Sequence, residues 1–132
     1  MKALSVRAPW WWYIVRGYKD IENRDWYSGY RGEAGIHASK WWNTREVEAD
    51  LRYIHEEIME PGIVEPPTLD ELRRFGGHLV GQARIADCVR AHNSRWFFGA
   101  YGFVLRDAVA FVQTIPFKGA LGFFNVPEEL LR

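Results

Sequence analysis

A single cysteine, Cys88, occurs in the 132 residues. No intrachain disulfide and no thiolate pair for a metal can form from it, and a reducing cytosol is the simplest compartment. Membrane signals are missing as well. No basic segment followed by an apolar run opens the chain, and no apolar stretch approaches the roughly 20 residues of a spanning helix. A soluble, cytoplasmic protein is the expectation. Net charge is also absent, with 17 Lys plus Arg against 17 Asp plus Glu. Attraction to a polyanion would therefore need clustered cations rather than an excess of them. None of the glycines falls in a GxGxxG or GxxxxGK loop, so a nucleotide-dependent motor or dehydrogenase is unsupported. His37, His55, His78 and His92 are not spaced as metal ligands, so neither metal nor cofactor is expected.

What is present is apolar and aromatic, 48% and 16% of the chain respectively, enough for one domain to bury a core unaided. The charges separate along the sequence. Acidic residues crowd the middle third, among them Glu46, Glu48, Asp50, Glu56, Glu57 and Glu60, while Arg7, Arg16, Lys19, Arg24, Arg31 and Lys40 fall in the first forty positions. A basic face and an acidic face can hide behind the overall neutrality.

Periodicity supplies the elements. Strands are expected at Lys2 to Val6, Asp20 to Arg24, Gly35 to Ser39, Leu79 to Val89, Gly102 to Leu105 and Leu121 to Val126. The pattern of the fourth inverts near Ile85 to Asp87, which suggests a bulge. Pro9 suits the first turn of a helix running to Arg16, and Gly17 suits the left-handed residue that stops it. Val47, Leu51, Ile54 and Ile58 form one apolar stripe of a second helix, Thr44 to Glu60, with Thr44 as its cap. Thr68 with Glu71 marks the start of a third, short helix ending near Phe75.

The densest stretch runs from Leu4 to Lys40. It contains Leu4-Ser5-Val6-Arg7, the run Ala8 to Trp26, Gly29 to Gly32 and Ile36 to Lys40, and it is echoed later by Ile115-Pro116-Phe117-Lys118-Gly119. These segments resemble the ASCH domain over nearly the whole chain. The resemblance implies an α+β fold, a PUA-like β-barrel flanked by helices, filling residues 1–132 as a single domain. It also implies a nucleic-acid ligand: single-stranded RNA or DNA, or a modified nucleotide.

The residues that would serve such a ligand gather at the strand junctions. Arg7, Lys19, Glu22, Arg24, His37, Ser39 and Lys40 are expected to ring a polar pocket at the barrel mouth, with cations on phosphate and Glu22 or Asn23 on a base edge. Arg31 is a further cation. Trp10 is the favoured stacking surface, and Trp41, Trp42 and Trp96 are further possibilities, Trp96 being assigned to the nucleic-acid-binding set. Lys19, Glu22 and His37 are the candidate catalytic residues. Some small relatives of the ASCH fold hydrolyse acetylated cytidine with a Lys at the position of Lys19 and a Thr three residues on. Glu22 replaces that Thr here, and a carboxylate beside Lys19 is expected to keep the amine protonated. Three functions stay open: a nucleic-acid-binding domain, a small hydrolase or metal-independent ribonuclease in the same cleft, and a protein-interaction module using the acidic helix. A salt-bridged scaffold is the alternative for the charged run Lys19 to Arg24, and an ordinary carbonyl-bonded strand residue the alternative for His37.

Overall fold

The first strand, β1 (Lys2–Val6), runs parallel to β3 (Gly32–Ala38), with Ala3 beside Gly35 and Ser5 beside His37. Small residues permit this pairing: a side chain on Gly35 would begin 3.2 Å from the Ala3 methyl carbon. A computed structural model describes residues 1–131; Arg132, the last residue of the expected domain, lies outside the described residues. Between those strands come α1 (Trp10–Val15) and β2 (Ile21–Arg24). Gly17 stops α1 at φ +81°, as its place after the apolar run requires. Trp11, Trp12, Tyr13, Ile14 and Val15 are all buried, so α1 is apolar nearly all round and sits inside the molecule.

The second helix, α2 (Thr44–Tyr53), continues as a π-helical turn, Ile54–Ile58. Its cap is Asn43 rather than Thr44. The Asn43 carboxamide accepts from the Glu46 N–H at 3.0 Å, and Thr44 instead accepts from the Trp42 indole. Asn43 is the extended residue that precedes the first turn, where a cap must stand. Val47, Ile54 and Ile58 are buried as the stripe predicts. The third helix, α3 (Leu69–Arg74), is capped by Thr68 accepting from the Glu71 N–H at 3.1 Å. The Glu71 carboxylate does not complete a capping box; it accepts from the Trp12 indole at 3.3 Å and lies 3.6 Å from Arg16.

Three strands remain: β4 (His78–Val89), β5 (Tyr101–Pro116) and β6 (Phe123–Asn125). Together the six form one sheet in the order β2-β5-β4-β3-β1-β6, antiparallel except for β1 with β3. The register shifts between Ile85 and Asp87 where the inverted pattern places a bulge, and twice more along β4. Strand β5 is much longer than Gly102 to Leu105. Beyond Leu105 its side chains are mostly in water and Asp107 adopts φ +54°, so the apolar alternation that reveals a strand disappears although pairing with β4 continues to Pro116. The sheet curls into a half-barrel. Its two ends approach where Arg24 of β2 donates to the Ser5 carbonyl of β1 at 3.0 Å and where Trp26 packs edge-on against Phe123, centroids 5.7 Å apart. Leu4, Ile36, Val80, Ile85 and Phe103 join α1 and α2 in the main core, while Ala3, Leu79 and Val126 pack on the opposite face.

Candidate nucleic-acid interface

The seam between β2 and β1 opens into a cleft of about 1240 Å³. Its walls come from the end of β1, from α1, from β2, from the segment after β3, and from a strap between β5 and β6 spanning Pro116 to Gly122. All seven residues expected to ring the pocket line it: Arg7, Lys19, Glu22, Arg24, His37, Ser39 and Lys40.

An ion network forms one wall. Lys19, only 3% exposed, donates to the Ile21 carbonyl and lies 3.8 Å from one Glu22 oxygen. Arg24 binds the other Glu22 oxygen through both Nε and Nη2, at 3.0 and 2.9 Å. Lys19 precedes the strand, held in the turn by its own N–H to the Tyr13 carbonyl. Lys19 therefore lies outside the alternation of β2, and its side chain meets Glu22. Burial lowers the Lys19 pKa below its ordinary 10.5, and the pull of Glu22 and Asp20 in the other direction offsets this only in part. The expected pairing is there, but it does not raise the amine above its usual value.

His37 is 2% exposed and spoken for at both nitrogens. Nε2 faces the Phe117 carbonyl at 2.6 Å and Nδ1 faces the Ser5 hydroxyl at 3.0 Å. A carbonyl can only accept, so Nε2 carries the proton and Nδ1 accepts from Ser5. Burial lowers the imidazole pKa, more than the bond to Phe117 raises it. The ring is thus the neutral anchor of the strap, with no nitrogen left for a ligand. Asn23 is equally committed: its amide donates to the Trp96 carbonyl at 2.9 Å and its oxygen accepts from the Phe98 N–H at 2.8 Å. It holds the β4–β5 connection and does not offer an edge to a base.

A family model for the ASCH domain matches residues 4–118. The chain belongs to the ASCH domain family. ASCH domains are PUA-like and generally associated with RNA binding, and the curled mixed sheet with three helices accords with that fold. No curated protein matches the chain at a significant level.

Two of the ASCH chain's expected nucleic-acid-binding residues do not reach the cleft. Arg31 donates to the Ser28 and Tyr30 carbonyls at 2.8 and 3.0 Å and lies 3.5 Å from Asp87, outside the seam. Trp96, 7% exposed, is core: it packs against the Tyr13 ring and the edge of Trp10. Trp10 does line the cleft, but its indole N–H goes to Asp50 at 3.2 Å, and the Lys19 ammonium stands 5.5 Å from its ring centre. The more open ring is Trp41, with the Arg7 guanidinium 4.1 Å from its centre. Lys118 and the strap around it also line the cleft. The strap's sequence signal was the Phe117-Lys118-Gly119 echo of the family pattern, which marks a segment without revealing that it folds across the barrel mouth. Among the described residues, no three His, Cys, Asp or Glu side chains are grouped to hold a metal, and no helix is long and apolar enough to cross a membrane.

Proposed function

We infer that this ASCH domain binds unpaired RNA along the seam cleft. One observation carries the reading. Five cations, Arg7, Lys19, Arg24, Lys40 and Lys118, line the cleft with one carboxylate, Glu22, which faces Lys19 and Arg24 already. In a chain of zero formal net charge, that is a concentration of positive charge in a single concavity. The space exceeds the roughly 300–1,000 Å³ of a small-molecule pocket, which favours a stretch of strand over a lone nucleoside. Glu46, Glu48, Glu56 and Glu57 are exposed on the helical side and would turn a polyanion away from it.

The hydrolytic reading has less support. His37 has no free nitrogen to move a proton, and the Lys19 amine is tied to a carbonyl and a carboxylate rather than to a hydroxyl. The test is a titration of labelled eight-nucleotide RNA, DNA and duplex RNA by fluorescence anisotropy. Saturable binding of single strands over duplex is expected; equal, weak binding of all three would refute the reading.

A further inference from the structure

We propose that the strand is held by stacking on Trp41 and by charge, with little reading of base identity. The proposal rests on the RNA-binding function inferred above and specifies how that site recognises its ligand.

Base-edge recognition needs side-chain donors and acceptors that are not already occupied. Most neutral and acidic side chains of this cleft are occupied; capacity is left at Nε2 of His78, which is bonded through Nδ1 to Thr114, at the Ser39 hydroxyl proton and at the Trp41 indole N–H. Both Glu22 oxygens face cations, the Asn23 amide is bonded at both ends, and the His37 ring is bonded at both nitrogens. The Ser5 hydroxyl is taken by His37, and the Ser39 oxygen accepts from the Trp41 N–H at 3.2 Å. The guanidiniums that could read a guanine edge are engaged, Arg24 by Glu22 and the Ser5 carbonyl and Arg7 over the Trp41 ring, which leaves Lys40 and Lys118 as exposed point charges suited to phosphate.

Two rings that line the cleft present open aromatic surface, Trp41 and Phe98, and Trp41 is the larger and the one braced by a cation. Trp41 is 40% exposed while lining the cleft, and the Arg7 guanidinium lies 4.1 Å from its ring centre. Such a cation braces the indole and leaves ring surface in water for a base. Trp10, by contrast, is half-buried, bonded to Asp50 and approached by Lys19. Leu121, 99% exposed on the strap, also borders the cleft and offers a second apolar contact. Every base has a face to stack, so a site built this way tolerates sequence.

The experiment compares labelled eight-nucleotide oligo(A), oligo(U) and oligo(C), with an abasic phosphodiester of equal length as competitor. The three homopolymers should bind within about tenfold of one another. Trp41→Ala should weaken each by about tenfold and leave the abasic competitor unchanged, and Trp41→Phe should restore most of the loss. An equal loss for the abasic strand, no loss for the homopolymers, or a preference for one base beyond about a hundredfold, the scale of bidentate edge contacts, would overturn the proposal. If strands bind and Trp41→Ala changes nothing, the proposal falls while the RNA-binding function stands. If no strand binds, the RNA-binding function falls with it.

Discussion

Replacing Arg24 with alanine removes the side chain that closes the seam. Arg24 makes two contacts to one Glu22 oxygen, at 3.0 and 2.9 Å, and donates to the Ser5 carbonyl at 3.0 Å. The Arg24 side chain is 19% exposed and that of Glu22 10%, so water can replace these contacts only in part. Deleting one partner of a buried pair costs about 3–5 kcal/mol, mostly through the charge left behind. The remaining Lys19 and the partial exposure place Arg24→Ala near the lower end, about 3 kcal/mol. That is a large part of the roughly 5–15 kcal/mol by which such domains are stable. Urea unfolding followed by circular dichroism measures it. Combining Arg24→Ala with Glu22→Gln should recover part of the loss, because the stranded carboxylate is gone. A loss under about 1 kcal/mol, with no coupling between the two sites, would mean an exposed surface pair and refute the argument.

Gly81→Ala should destabilise by about 3 kcal/mol or prevent folding, since its new carbon would lie 2.3 Å from the Val109 carbonyl oxygen and 2.6 Å from Val15; a thermal melt close to wild type would contradict this. Burial keeps the folded-state pKa of His37 below 6.5, so between that lower value and 6.5 the unfolded chain binds more protons. Stability should fall as pH drops below about 6.5, and His37→Gln should flatten the decline in urea midpoints; an unchanged slope would count against a neutral buried imidazole. Purified protein should leave N4-acetylcytidine intact, because Glu22 stands where a hydroxyl would be needed; acetate release abolished by Lys19→Ala would show otherwise.

The sequence and the structure agree where side-chain pattern and burial coincide. Alternating and helical apolar runs placed β1, the stripe on α2 and the irregularity in β4, and the strand junctions of the fold that the ASCH resemblance implies hold seven residues that line one cleft. They part where tertiary partners decide. Nothing local distinguishes Asn43 from Thr44 as the cap of α2, and the second half of β5 hides because its side chains face water while its backbone is paired. Asn23 looked available for a ligand because its partners, the Trp96 carbonyl and the Phe98 N–H, lie more than seventy residues away. Arg31 shares the basic N-terminal third with Arg7 and Arg24, yet neighbouring carbonyls and Asp87 hold it outside the seam.

The salt dependence of RNA binding in a Lys40→Ala, Lys118→Ala double variant tests the central claim most directly. Both lysines are exposed, both line the cleft, and neither makes an ion pair among the described residues, so their loss should spare the fold. Each phosphate contact on a single strand contributes about 0.7 to the slope of log affinity against log salt, so removing two should reduce that slope by about 1.4. Weaker binding with the slope reduced by that amount is the predicted result. An affinity and slope identical to wild type, in a variant with an unaltered circular dichroism spectrum, would place the RNA elsewhere on the molecule and contradict the account.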